Sequence, residues 1–316
     1  MSSSPVNPRP KYSSPERVAS IDIGTNTILL LIAEAEHGQL KPLLEQETIV
    51  RLGEGLQKSG SLSPEAMNRG FDTLDQYMEH CRRMGVQKIF AAGTSALRDA
   101  RNSKEFTDSI KEKLNLSIEI ISGEEEAQLS FLAVARDIHE SEKTILVVDV
   151  GGGSTEFILG KGNQIIQWVS LPLGSVRFTE QYLISDPVRE NEWDRMEKDI
   201  RRLFVDLPRS GEPPFMVAVG GTATTLTSVE LGLKEFSVEK IHHFVLTKES
   251  LRNQLSFYRS KTIDERRKIP GLFPNRADVI LAGGAIFYFT MEKYECSSTL
   301  ISCHGIRHGL LYKRLN

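Results

Sequence analysis

Two stretches of this chain carry the same punctuation 127 residues apart: "ASIDIGTNTILL" at 19–30 and "VVDVGGGSTEF" at 147–157. Asp22 and Gly24 of the first match Asp149 and Gly151 of the second. In each, an apolar run ends at an aspartate, glycine marks a turn, and a second apolar run leaves it. Such a chain holds two copies of one strand–turn–strand unit. Packed face to face, the copies would direct both Asp-x-Gly turns into a shared cleft. Self-similarity at the 20–50-residue period of solenoids is absent.

The remaining pattern alternates strand-like runs with amphipathic stretches, the mark of an α/β fold. Strands are expected at 18–23, 28–36 and 40–50, in "VQKIFAAGT" and in "LSIEIIS". After residue 140 the plan restarts with "KTILVVDV", a hairpin turning at 161–163, and "FMVAVGGTATTLTSV" as strand, glycine turn and helix. Helices are expected after Ser63 and Pro64, over 102–114, from Ser122, around 175–184 and 189–206, and over 248–258, 262–268 and 275–291. A last strand at "STLISC" precedes a last helix at 305–315. The expected organisation is a disordered tail at 1–16, one α/β domain at 17–124, a second at 125–304, and a closing helix at 305–316 packed back on the first. The tail expectation rests on four of the thirteen prolines and on the absence of an apolar segment.

Glycine turns expose backbone N–H groups with no Cβ in the way, forming a nest for phosphate oxygens. Thr25, Thr27, Ser154 and Thr155 flank the two turns as further donors. A carboxylate at the strand end would repel phosphate unless a cation sat between them, so Asp149, with Glu156 as a second, reads as a Mg²⁺ ligand. The plain alternative is a strand connection in which Asp satisfies the turn backbone. Two aligned copies and a third turn, Gly220–Gly221–Thr222, favour the phosphate reading. No GxxxxGK[ST] or strand-following GxGxxG is present, and "GGST" does not fit the GxSxG of esterases.

Composition narrows the class further. The 316 residues are 40% hydrophobic and 26% charged, as in ordinary globular proteins, and this length suggests two domains. The net charge of −3 gives no long-range pull toward nucleic acid, so an anionic ligand must be held locally. No apolar run approaches the ~20 residues of a membrane span. Three cysteines without CxxC spacing argue for a reducing compartment, the cytoplasm.

Other side chains divide between chemistry and structure. Glu124, Glu125 and Glu126 fill the first turn of a helix, where the dipole favours acids, and Glu125 is spaced to cap Ser122. Arg98 follows a buried strand and suits either a phosphate or a salt bridge to Asp99 or Asp72. Arg51 and Arg177 are weaker phosphate candidates. His304 and His308 have the i, i+4 spacing of a metal pair, but the sequence shows no third ligand, and His242–His243 read as structural.

The motifs together resemble the exopolyphosphatase/guanosine pentaphosphate phosphatase family of the actin-like ATPase superfamily. They are "IDIGTNT" (21–27), "RLGEGL" (51–56), "GTSALRDARN" (93–102), "ISGEEEA" (121–127), "DVGGGSTE" (149–156), "LPLGSVR" (171–177), "GGTATTL" (220–226) and "GIRHGLLY" (305–312). The resemblance implies two actin-like (ribonuclease H-like) domains with an interdomain cleft, and release of terminal phosphate from inorganic polyphosphate or guanosine pentaphosphate. It implies Glu126 as the residue that activates water, Arg98 beside the phosphate, and Asp149 and Glu156 on the metal side. Gly24, Thr25 and Asn26 match the first phosphate loop, Gly151, Gly152, Gly153 and Ser154 the second, and Gly220, Gly221 and Thr222 the third. Mg²⁺, with a monovalent cation such as K⁺, and a homodimer are the expected cofactors and assembly. Two features depart from the family pattern. These residues do not include the helical C-terminal domain of many members, which favours short polyphosphate, and His308 stands where members often carry Glu. The rival readings are a small-molecule kinase on the same fold and a non-catalytic alarmone or nucleotide sensor.

Overall fold

The computed structural model describes residues 16–315 apart from 37, 139 and 141, so most of the expected tail lies outside the described residues. Eleven strands form two sheets among the described residues. The first sheet contains β1 (Glu16–Ile23), β2 (Thr27–Glu36), β3 (Gln39–Ile49), β4 (Lys88–Gly93) and β5 (Ile118–Ile120), in the order β3-β2-β1-β4-β5. The second contains β6 (Thr144–Val150), β7 (Thr155–Lys161), β8 (Gln164–Leu171), β9 (Phe215–Val219), β10 (Val245–Thr247) and β11 (Ser298–Ile301), in the order β10-β11-β9-β6-β7-β8. Read from β8, the second sheet repeats the first strand for strand, and β10 is added at its far edge.

The repetition reaches the level of single hydrogen bonds. Asp22 faces Leu29 across the β1/β2 hairpin, and Asp149 faces Glu156 across β6/β7. The Gly24 N–H donates to the Thr27 carbonyl at 2.9 Å, and the Gly151 N–H to the Ser154 carbonyl at 3.0 Å. These are the same turn, 127 residues apart. Each third strand also carries one register shift, at Ile32/Ala33 and at Leu159/Gly160. A bulge at the same place in both copies bends the hairpin alike.

Each sheet packs its own core. Ile21, Ile23, Ile28, Leu30 and Ile32 are fully buried with Leu74 and Tyr77 of the helix Pro64–Arg83. That helix starts as expected, with Ser63 accepting the Ala66 N–H and Pro64 in the first turn. In the second half Leu146, Val148, Phe157 and Leu159 pack against the helix Ile280–Lys293, which is apolar all round and buried. The helix expected at 275–291 is thus two elements, a 3₁₀ turn at Pro274–Arg276 and the helix Ile280–Lys293. The expected 189–206 helix likewise ends at Leu203 in a 3₁₀ turn, Phe204–Asp206.

The closing helix, Ile306–Leu315, lies between the halves. Leu311 packs with Val18, Leu31 and Ala33 of the first sheet, and Ile306 and Leu310 pack on Leu129 of the helix Gly123–Asp137. The Ser20 hydroxyl of β1 donates to the Arg307 carbonyl at 2.7 Å, adding a polar tie. No described helix is long and apolar enough to cross a membrane.

Candidate active site

The turns after β1 and β6 open into one cleft of about 120 Å³. Its lining includes Asp22, Gly24, Thr25, Asn26 and Thr27 from the first half and Asp149, Gly151, Gly152, Gly153 and Ser154 from the second. Gly220, Gly221 and Thr222 contribute a third wall at the start of the helix Gly220–Glu230, where the peptide dipoles favour an anion. Asp22 and Asp149 are near enough that each negative charge counts: burial raises the Asp22 carboxyl well above its ordinary value, and Glu126 and Asp149 raise it further.

The glycines have a steric reason beyond turn geometry. A Cβ on Gly153 would stand 2.5 Å from Ser95 Oγ and 2.9 Å from Thr25 Oγ1. On Gly152 it would meet Thr25 Cβ at 2.9 Å. The loops of the two halves therefore touch through glycine. Around them sit buried polar atoms with no partner, namely Thr25 Oγ1, both amide atoms of Asn26 and Asp22 Oδ1. Since buried polar atoms are nearly always satisfied, this cluster marks where a ligand belongs.

Glu126 reaches the cleft because of how its helix is capped. Ser122 accepts the Glu125 N–H at 3.1 Å, and Glu125 accepts the Ser122 N–H at 3.0 Å. With Glu125 turned back on the cap and Glu124 exposed beside Gln128, Glu126 alone of the three is buried and lines the cleft. Arg98 Nη1 holds its Oε2 at 2.7 Å and also donates to the Ile121 carbonyl at 3.0 Å. Burial pushes the Glu126 carboxyl up, Arg98 pulls it down, and the balance stands at about 7. A carboxylate poised there can exchange a proton near neutral pH.

Several expected positions are corrected. Arg98 is not among the lining residues; its ion-pair partner is Glu126, not Asp99 or Asp72. Glu156, 1% exposed, also lies outside the lining, with Oε1 accepting the Ser170 hydroxyl at 2.7 Å. The Thr155 hydroxyl is turned away to the Leu173 carbonyl. Arg177 is spent on the Gly153 carbonyl, Gln57 and Asp99, and Arg51 on Asp278 and the Asn275 carbonyl. Both join the two halves.

Sequence reasoning missed several lining groups, among them Thr94, Ser95, Arg276 and Arg307. Thr94 and Ser95 follow β4 as Gly220 follows β9, so the third turn has its own counterpart, signalled by "GTS" against "GGT". Arg276 pairs with Glu47 and donates to Thr27 Oγ1 at 3.2 Å, and Arg307 pairs with Glu45. Nothing in spacing ties residues 229 and 262 positions apart. Only the folded chain brings them together.

A duplicated actin-like body, with matched phosphate-type turns and a buried carboxylate in one cleft, defines an enzyme of phosphate chemistry on the actin fold. The chain belongs to the Ppx/GppA phosphatase family, whose description matches residues 31–316, and is a hydrolase. It is 33% identical to exopolyphosphatase 2 of Mycobacterium tuberculosis, over 93% of this chain and 97% of that protein. It is 35% identical to a bifunctional 3-dehydroquinate synthase/phosphatase of Fusobacterium nucleatum, covering 92% of this chain but only 46% of that longer protein. Among solved structures, the Ppx/GppA family member of Aquifex aeolicus superposes with a TM-score of 0.81 at 33% identity, over 95% of this chain and 97% of that one. An exopolyphosphatase from Cytophaga hutchinsonii gives 0.88 at 28% identity, over 95% and 98%.

Proposed function

We propose that the chain is an exopolyphosphatase that releases terminal orthophosphate from inorganic polyphosphate. One observation carries the reading: the unpaired polar atoms of Asp22, Thr25 and Asn26 share a cleft with the glycine turn at Gly151–Gly153 and the Glu126 carboxylate. The turns offer N–H groups to the terminal phosphate, and Ser154 and Thr222 of the same lining add hydroxyls. Glu126 orients the attacking water and takes its proton, with Arg98 fixing Oε2 so that Oε1 serves the water. Closeness of the loops through Gly152 and Gly153 excludes bulk water from the reacting groups.

A divalent cation fits this cleft. Asp22, Asp149 and Glu126 are buried on its wall, Glu156 is buried beside them, and Asp22 Oδ1 has no partner. Burial raises the Asp149 carboxyl despite the Ser130 hydroxyl bond at 2.7 Å, and raises Glu156 well above its ordinary value. Asp149 and Asp22 would hold Mg²⁺ at the wall, with Glu156 supporting from outside it. When bound, Mg²⁺ supplies neutralisation of the charge that builds on the transferring phosphoryl group.

Guanosine pentaphosphate is the second substrate in this reading, since it presents the same terminal anhydride, and short chains are the favoured polyphosphate. K⁺ beside Mg²⁺, cytoplasmic placement, supported by three free cysteines, and a homodimer complete it. The test is phosphate release from short and long polyphosphates of defined length and from guanosine pentaphosphate, with and without Mg²⁺. Mg²⁺-dependent release from polyphosphate is expected. No release at any length would turn the reading to a sensor, and transfer from ATP to an acceptor hydroxyl would turn it to a kinase.

A further inference from the structure

The loop after β11 has two faces. Ser302, Cys303, Gly305 and Arg307 line the active cleft, whereas His304 turns the other way onto Asp137, at the end of the helix Gly123–Asp137. There the fold gathers four histidines that are dispersed in the sequence. The rings of His243, His242, His304 and His308 follow one another with centroids 3.9, 4.6 and 4.0 Å apart. The i, i+4 spacing offers His304 and His308 as a pair, but His304 precedes the helix Ile306–Leu315 and the two rings stack. The additional ligands for His304 come instead from Asp137 and His242.

We propose that Asp137, His242 and His304 form a binding site for a transition-metal cation of the zinc type, separate from the Mg²⁺ position in the cleft. Asp137 Oδ1 lies 3.3 Å from His242 Nε2 and 3.6 Å from His304 Nδ1, and one ligand atom from each residue lies within 4.8 Å of the other two. The 3.6 Å separation is too long for a hydrogen bond, and the 3.3 Å one is at the long end of the range. They suit the edges of a tetrahedron whose centre is ~2.0–2.2 Å from each nitrogen or oxygen. His304 Nδ1 is buried and makes no hydrogen bond.

The surroundings supply what such a site needs. His243 Nε2 engages the other carboxylate oxygen, Asp137 Oδ2, at 2.9 Å, fixing the Asp137 plane and leaving Oδ1 toward the two nitrogens. His243 achieves this with a φ of 64°, a left-handed backbone that a non-glycine residue adopts at a cost. His308, 1% exposed, stacks on His304 and sets its ring plane. Two imidazoles and one carboxylate favour zinc-type ions over Mg²⁺, which takes oxygen donors.

His242 Nδ1 accepts the Cys303 N–H at 3.1 Å, so without a cation its ring proton sits on Nε2, facing Asp137. A cation on Nε2 moves that proton to Nδ1 and displaces the Cys303 N–H. One amide hydrogen bond is a smaller term than the metal–ligand bonds that replace it. Because Cys303 lines the cleft, occupancy of this rear site also adjusts the cleft wall.

The experiment is titration of the metal-stripped protein with Zn²⁺ by calorimetry in excess Mg²⁺, which fills the cleft, with Co²⁺ as a spectroscopic probe. One equivalent of Zn²⁺ should bind. Co²⁺ should give the intense visible absorption of a tetrahedral nitrogen–oxygen site and lose it when Zn²⁺ is added. His304→Gln and Asp137→Asn should each weaken binding at least tenfold, while His80→Gln on the helix Pro64–Arg83 and Asp149→Asn in the cleft should leave it unchanged. The Co²⁺ spectrum of the unaltered protein decides the matter even where a variant fails to fold. Absence of that absorption, or Zn²⁺ affinity that survives His304→Gln in a folded protein, overturns the site.

Discussion

Arg98 Nη1 lies 2.7 Å from Glu126 Oε2, yet only Glu126 lines the cleft. The arginine acts through the glutamate, holding one oxygen so that the other is presented to water. Glu126→Gln keeps the shape and can still accept the Arg98 N–H through its remaining carbonyl oxygen, but its amide cannot accept a proton. Turnover should fall ~10²–10⁴-fold, the usual contribution of a positioned base, with substrate affinity nearly unchanged. Steady-state phosphate release with a binding measurement checks this. A variant within threefold of the native rate would remove Glu126 from the base role.

The same pair sets the pH dependence. Burial holds the Glu126 carboxyl up and Arg98 lowers it, to a balance of about 7, and the base form is the deprotonated one. Activity should therefore fall as pH drops through the neutral range. Arg98→Met removes the lowering partner, so the acid limb should move to higher pH while KM changes little. A pH–rate profile of both proteins measures the shift. An arginine that served only folding would lower the yield of active protein and leave the limb in place.

Much of this architecture was readable beforehand, for local reasons. Asp22–Gly24 and Asp149–Gly151 are punctuation within single hairpins, and their common turn appears in both copies as Gly24 to Thr27 and Gly151 to Ser154. The Ser122–Glu125 capping box is also local, and it decides which of three adjacent glutamates turns inward. What escaped is contact across the halves. Arg276 meets Glu47 and Arg307 meets Glu45 only after two sheets and the closing helix have assembled. The histidines around Asp137 failed for the same reason: His242 and Asp137 are 105 positions apart, so the third ligand for His304 lay beyond any spacing rule.

Crowding of carboxylates predicts how the protein responds to metal. Asp22, Asp149 and Glu126 repel one another in a buried cleft, and a divalent cation relieves that repulsion. Binding to the native state alone raises stability, so Mg²⁺ should raise the melting temperature and a chelator should abolish turnover. Asp149→Asn keeps the shape with one charge fewer, so its Mg²⁺-induced shift should be much smaller than the native one. Thermal melts with and without Mg²⁺ compare them. Equal shifts would place the cation away from Asp149.

Loop contact across the cleft predicts a kinetic defect without a folding defect. Gly153→Ala sets a methyl 2.5 Å from Ser95 Oγ and 2.9 Å from Thr25 Oγ1, both side-chain atoms at the mouth of the phosphate turns. The Ser95 and Thr25 hydroxyls must rotate away or the loops must shift, and either misplaces donors of the phosphate turns. Such misplacement costs up to ~10²-fold in rate. Native melting behaviour with a lowered kcat/KM is expected. Native kinetics would mean that the loops do not approach this closely in the working enzyme.

Gly309 predicts the opposite pattern. In the helix Ile306–Leu315 it lies against the Leu129 carbonyl, and a Cβ there would stand 2.0 Å from that oxygen and 2.6 Å from its carbon. These are backbone atoms of the helix Gly123–Asp137, so neither rotamer change nor side-chain bending relieves the clash. The two helices must move apart, loosening Leu310 and Ile306 from Leu129 and straining the Ser20 bond to Arg307. Overpacking of this kind costs about 1–3 kcal/mol, which for a chain of this size lowers the melting temperature by several degrees. Gly309→Ser should be at least as damaging, because its added hydroxyl lacks room. Denaturation curves of Gly309→Ala and Gly309→Ser test the packing, and unchanged midpoints would show that the closing helix is not seated on Leu129.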